Sequence, residues 1–177
     1  MAHTRYTEVL NKGVHAKIAK ASDELFIAKL LTTNTQTRHV FRGTFAVNER
    51  VTQPVHLPAA YIYNTYPRHT PAVGHWICMY VYRNKYNQLC VEFFGSFGLQ
   101  PPDELLTMAR QWTRHVIWNR KFFQHYTSAL CGMYCVYYLH YRCFGWSMAE
   151  IQRHFSVHTL ANDKLVQDSI SAMVDYS

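Results

Sequence analysis

A chain of 177 residues, 49% hydrophobic and 15% aromatic, is long enough to close one sizeable core and too apolar to stay disordered. Its net charge of +7, with 11 histidines besides, suits an acidic partner such as nucleic acid, yet lysine and arginine are scattered from Arg38 to Lys121 and form no basic arm. No apolar run reaches the roughly 18 residues of a membrane span, and the opening MAHTRYTEVLNKG lacks the apolar stretch of a secretory leader, so neither a membrane nor secretion is expected.

The first predicted element is a helix over 22–31, SDELFIAKLL, with Ser22 as N-cap and acids in its first turn. TQTRHVFRGTFAVN is rich in β-formers and then turns. Four prolines in QPVHLPAAYIYNTYPRHTPAVG argue for loops around one short element. HWICMYVYRNKYNQLCVEFF reads as a hairpin, two β-rich runs around a polar RNKYNQ. QPPDELLTMARQW opens on prolines, puts Asp103 and Glu104 in a first turn and sets Leu105, Leu106, Ala109 and Trp112 on one face, which predicts a helix. HVIW is a short strand. In FFQHYTSALCGMYCVYYLHYR the residues Met133, Val136, Tyr137 and His140 recur at helical spacing and predict an amphipathic helix. Ser128 is its expected N-cap, with Cys131 and Gly132 in the first turn. SMAEIQRHF, capped by Ser147, and a last helix over NDKLVQDSISAMV complete a single α+β domain over 1–177.

Five cysteines (Cys78, Cys90, Cys131, Cys135, Cys143) are an odd number without framework spacing, which fits free thiols in a reducing compartment. Cys131, Cys135 and His140 lie near one another, but no CxxC or HxxxH pair completes a ligand set, so no metal is expected. Cys131 has two readings: a small core hydrophobe, or a nucleophile whose thiolate the helix N-terminus favours, with Gly132 leaving room for a substrate backbone. His75, between Gly74 and Trp76 at the mouth of the hairpin, suits acid–base work; it equally suits a half-buried structural role. Gln124, seven positions before Cys131, is either a loop residue or an amide donor to a developing oxyanion.

Taken together, these segments resemble the adenovirus-type cysteine protease family and its relatives in polinton-like and other DNA viruses. QHYTSALCGMYC is similar to that family's Gln-Gly-Pro-Asn-Ser-Ala-Ala-Cys-Gly-Leu-Phe-Cys segment, with the Gln-to-Cys spacing kept. FRGTF, YIYNT and GHW resemble its Gly-Thr-Tyr, Ile-Val-Asn-Thr and Val-His-Trp segments in the same order, and EFFGSFGLQPP its Phe-Asp-Ser-Phe-Gly-Leu-Pro-Pro turn. The likeness is strongest over 40–145. It implies the ubiquitin-like-protease variant of the papain architecture, a central mixed sheet flanked by helices with the nucleophile at a helix N-terminus. It further implies His75 as general base, Cys131 as nucleophile and Gln124 as oxyanion donor, with Trp76 and Gly132 walling the site.

The family's third residue is an acid that orients the histidine. Aligning the SFGL turn puts Gly95 there, the preferred match; aligning EFFG makes it Glu92. In a regular strand these two face opposite sides, so one excludes the other. The reading implied is a viral cysteine endopeptidase that processes capsid and core precursors. It would be monomeric, act in the virion and the host nucleus or cytoplasm, and need no cofactor for its chemistry. By family resemblance a viral peptide or DNA could serve as activator. The rivals are a deubiquitinase- or deSUMOylase-like isopeptidase, and an inactive binding module on the same fold.

Overall fold

The computed structural model of the chain describes residues 24–70 and 74–175. Its elements are α1 (Glu24–Thr33), β1 (Phe41–Ala46), β2 (Ala59–Asn64), β3 (Trp76–Arg83), β4 (Leu89–Phe94), α2 (Asp103–Trp112), β5 (His115–Trp118), α3 (Cys131–Cys143), α4 (Met148–Gln152) and α5 (Thr159–Asp175). The hairpin, the Asp103 helix and the HVIW strand stand where the sequence predicts them, and Ser147 caps α4 with a full capping box to Glu150. The expected cap Ser22 lies outside the described residues.

The five strands form one sheet in the order β1-β2-β3-β4-β5. β1 and β2 are parallel, β2–β3 and β3–β4 antiparallel, and β4–β5 parallel, so the sheet is mixed and the fold is α+β. Alternation along the strands builds a core on each face. Ile77, Met79, Val81, Val91 and Phe93 meet Leu105, Leu106, Met108 and Ala109 of α2 on one side. Ala60, Ile62, Cys78, Tyr80 and Phe94 meet α3 on the other.

The predicted amphipathic character of α3 is corrected here. Every residue from Cys131 to Leu139 is buried, because the sheet covers one side of the helix while α1, α4 and α5 cover the rest. A helix apolar all round belongs inside a domain. Each fully buried Leu139 or Val136 side chain adds about 1.5–3 kcal/mol of burial energy, so α3 is a structural axis as well as the carrier of Cys131.

Candidate active site

The chain reaches the site first at Asn64–Thr65, just past β2. Thr65 clasps His75 from both sides: its N–H donates to the His75 carbonyl at 2.8 Å and its Oγ1 accepts the His75 N–H at 3.0 Å. The approach to His75 is tight at Gly74, since a Cβ there would stand 1.8 Å from Asn64 Oδ1 and force that amide aside. Burial drives the His75 imidazole down to about 4, so the ring is neutral at physiological pH.

Cys131 is the first residue of α3, and its thiol is largely buried. Burial pushes the thiol up, while the backbone N–H groups of Trp76, Gly132 and Cys131 itself, directed at Sγ, pull it the other way. The peptide that joins His75 to Trp76 therefore touches the sulfur. Desolvation outweighs those N–H groups, so the thiol lies above its ordinary value, where the helix N-terminus alone leads to the expectation of a lowered one. Ser128 is not the cap. Leu130 holds that position without a side-chain bond, and the Ser128 Oγ is buried without a partner. The first-turn N–H groups of α3 are thus left without a side-chain cap beside the cleft.

His75, Trp76, Gln124 and Cys131 all line one open cleft of about 470 Å³, together with Phe97 and Ala129. It shares Asn64, Tyr66 and Trp76 with a second hollow of about 310 Å³ bordered by Phe45, Arg68 and Thr70. A trough of this form suits an extended chain. Gly132 does not line it; its contribution is the N–H on Sγ.

Gln124 is buried and fixed at both ends of its amide: Oε1 accepts from Ser96 Oγ at 2.5 Å, and Nε2 donates to the Ser128 carbonyl at 2.7 Å. That leaves one amide N–H uncommitted. The loop carrying it is held from α5, where Asn162 Nδ2 donates to the Phe123 carbonyl at 3.0 Å and Asp163 Oδ1 accepts the His125 N–H at 3.3 Å.

Glu92 and Gly95 separate as strand alternation requires. Glu92 faces α3, where its Oε1 accepts from Tyr138 Oη at 2.6 Å and from Arg142 Nε. It is a buried structural ion pair, and the tentative assignment of Glu92 as the histidine-orienting acid is corrected on that ground. Gly95 is the residue at the histidine: a Cβ built there would lie 3.3 Å from His75 Nε2 and 3.0 Å from Ile77 Cγ2. Asn119 grips the same glycine, accepting its N–H at 2.9 Å and donating to its carbonyl at 2.8 Å.

Sequence reasoning passed over Ser96, Phe97 and Asn119. The turn EFFGSFG carried the signal for the first two, since three of its residues end at the site; Asn119 stands 24 residues from Gly95 and carried none. Among the described residues no group of three or more His, Cys, Asp or Glu is placed to hold a metal ion.

No protein-family model matches this chain, and no curated protein matches it in sequence. Among solved structures it is similar to the crystal structure of the ASFV pS273R protease, at 17% identity and a TM-score of 0.48, over 63% of this chain and 43% of that one, so the matched part spans less than half of that protein's length.

Proposed function

We propose that this chain is a cysteine endopeptidase, and more narrowly a viral maturation protease acting on capsid and core precursor proteins. The observation that carries the reading is the shared cleft in which Cys131, at the uncapped head of α3, meets the peptide of the His75–Trp76 strand mouth. His75 takes the proton from Sγ as the sulfur attacks the scissile carbonyl carbon. The resulting oxyanion accepts from the free amide N–H of Gln124 and from the Cys131 N–H. Collapse of the tetrahedral species breaks the C–N bond, and the proton on His75 leaves with the amine. Water, deprotonated by His75, then hydrolyses the thioester and returns the thiol. The narrower substrate class is supported by the sequence resemblance.

The test is cleavage mapping by mass spectrometry in virion precursor proteins co-expressed with the chain, with the Cys131→Ala variant as control. Cuts at discrete sites that vanish in the variant are expected. Preference for di-ubiquitin or a SUMO fusion over a Gly-Gly peptide would instead make the chain an isopeptidase. Absence of any thiol-dependent cut and of vinyl-sulfone labelling would leave a binding module. Arg110, Arg114, Arg120 and Lys121 are all exposed around the end of α2 and β5, which supports non-specific contact with DNA. Duplex binding that weakens steeply with salt is the expected result, and no binding at low ionic strength would reduce these residues to a solvated face.

A further inference from the structure

The reading above leaves His75 without an orienting acid, and the surroundings of the ring suggest what replaces it. Its face stacks on Phe97, with centroids 4.7 Å apart and planes 23° from parallel. Phe97 is in turn backed by Phe122, at 5.3 Å and 17°. The Nε2 edge of the ring comes so close to Gly95 that any Cβ there would crowd it at 3.3 Å. Gly95 cannot retreat, because Asn119 holds its N–H and its carbonyl at once. The same built Cβ would meet Ile77 Cγ2 at 3.0 Å, so the space at Gly95 is tight on two sides.

We propose that the imidazole of His75 is oriented by a packing slot, the bare backbone of Gly95 at its Nε2 edge and the Phe97 ring over its face, and that these two are positioning residues standing in for a carboxylate. The position at 95 is thus not an empty seat awaiting an acid. A Cβ at 95 would press on the imidazole and on Ile77, each of which would have to give by a few tenths of an ångström, and glycine spares the ring that pressure. With Nε2 set against Gly95, Nδ1 is the ring nitrogen left to take the thiol proton. Stacking also suits the chemistry, since an aromatic face attracts the imidazolium that forms when that proton arrives. An acid would fix the ring by a directed hydrogen bond; here shape does so, and a side chain added at 95 would push the ring out of line.

The proposal rests on His75 being the base for Cys131, and one experiment separates the two claims. The full-length chain is alkylated with iodoacetamide at pH 7.5 and the rate at Cys131 is followed by mass spectrometry, in the wild type and in His75→Ala, Phe97→Leu, Phe97→Tyr, Gly95→Ala and Gly95→Asp. The Hε1 resonance of His75 is recorded in parallel. His75→Ala should slow alkylation by a factor on the order of a hundred, the usual worth of a positioned base. Phe97→Leu, Gly95→Ala and Gly95→Asp should each slow it by about tenfold through lost alignment, while Phe97→Tyr, which keeps the ring, restores most of the rate. The wild-type Hε1 should lie upfield of a free histidine through the Phe97 ring current and move downfield in Phe97→Leu; should that variant fail to fold, the wild-type shift and Phe97→Tyr still decide. A faster reaction in Gly95→Asp, or an Hε1 shift and alkylation rate indifferent to Phe97→Leu, overturns the slot. Equal rates in the wild type and His75→Ala would instead overturn the base assignment, whatever the resonance does.

Discussion

At the C-terminal end of α3, Arg142 and Tyr138 close on the carboxylate of Glu92, a charge answered by a charge and a hydroxyl. At its N-terminal end, Cys131 and His75 share a cleft in which burial alone sets the imidazole and dominates over backbone dipoles at the thiol. Both ends shield their polar groups, but one is electrostatically closed and the other opens on a cleft. The difference separates a place built to stay ionised from a place where charge is meant to appear only during reaction. Glu92 and Gly95, three residues apart on one strand and its turn, are the two halves of that division.

The comparison breaks most sharply at Cys131. Cys131→Ala should remove all proteolysis in a discontinuous peptide assay while the thermal midpoint stays near that of the wild type, since the change deletes one small thiol beside a cleft. A variant that still cleaves would dismiss the nucleophile. Glu92→Ala tests the closed end: it strands the Arg142 guanidinium, 9% exposed, in the core. The expected cost is about 3–5 kcal/mol of stability, read by urea unfolding, with the activity per folded molecule intact. Loss of activity without loss of stability would return Glu92 to the catalytic set.

The open end has its own pH signature. His75 titrates at about 4 in the folded state against an ordinary 6.5, so its burial is free of penalty above 6.5 and stability is lost as pH falls from 6.5 towards 4. The loss amounts to about 3 kcal/mol at most, and His75→Ala should flatten that part of the curve. A stability profile identical in the two proteins would mean the ring is solvated. The smallest of these effects is at Gln124. Gln124→Ala should lower kcat on the order of a hundredfold with KM little changed, because the amide acts on the oxyanion. A change confined to KM would make it a ground-state contact.

How much of this was legible in the sequence depends on the range of the forces involved. The hairpin, α2 and the Ser147 capping box rest on neighbours a few residues apart, and all are found where the residues point. Period-two alternation also foresaw that Glu92 and Gly95 look opposite ways. It could not say which way the histidine lies, because the answer depends on Arg142, 50 residues downstream, claiming Glu92. The amphipathic reading of α3 failed for a related reason: selecting Met133, Val136 and Tyr137 as the buried face overlooks that Tyr134, Cys135 and Tyr138 bury equally well once helices cover the far side. Ser128 looked like a cap by type. Its carbonyl is instead the acceptor that fixes Gln124, a contact between two loop residues that no helix-boundary rule anticipates.

The Trp76 N–H that reaches Cys131 Sγ turns one backbone hydrogen into a gauge of the whole site. Its acceptor belongs to a different layer of the molecule, so deuterium exchange there should quicken when sheet and helix part. Exchange at that amide then times the breathing motion that separates nucleophile from base, residue-resolved and without substrate. A bulky group attached to the sulfur should remove the acceptor and quicken the exchange, while the amide of Met79, deep in β3, keeps its own slow rhythm.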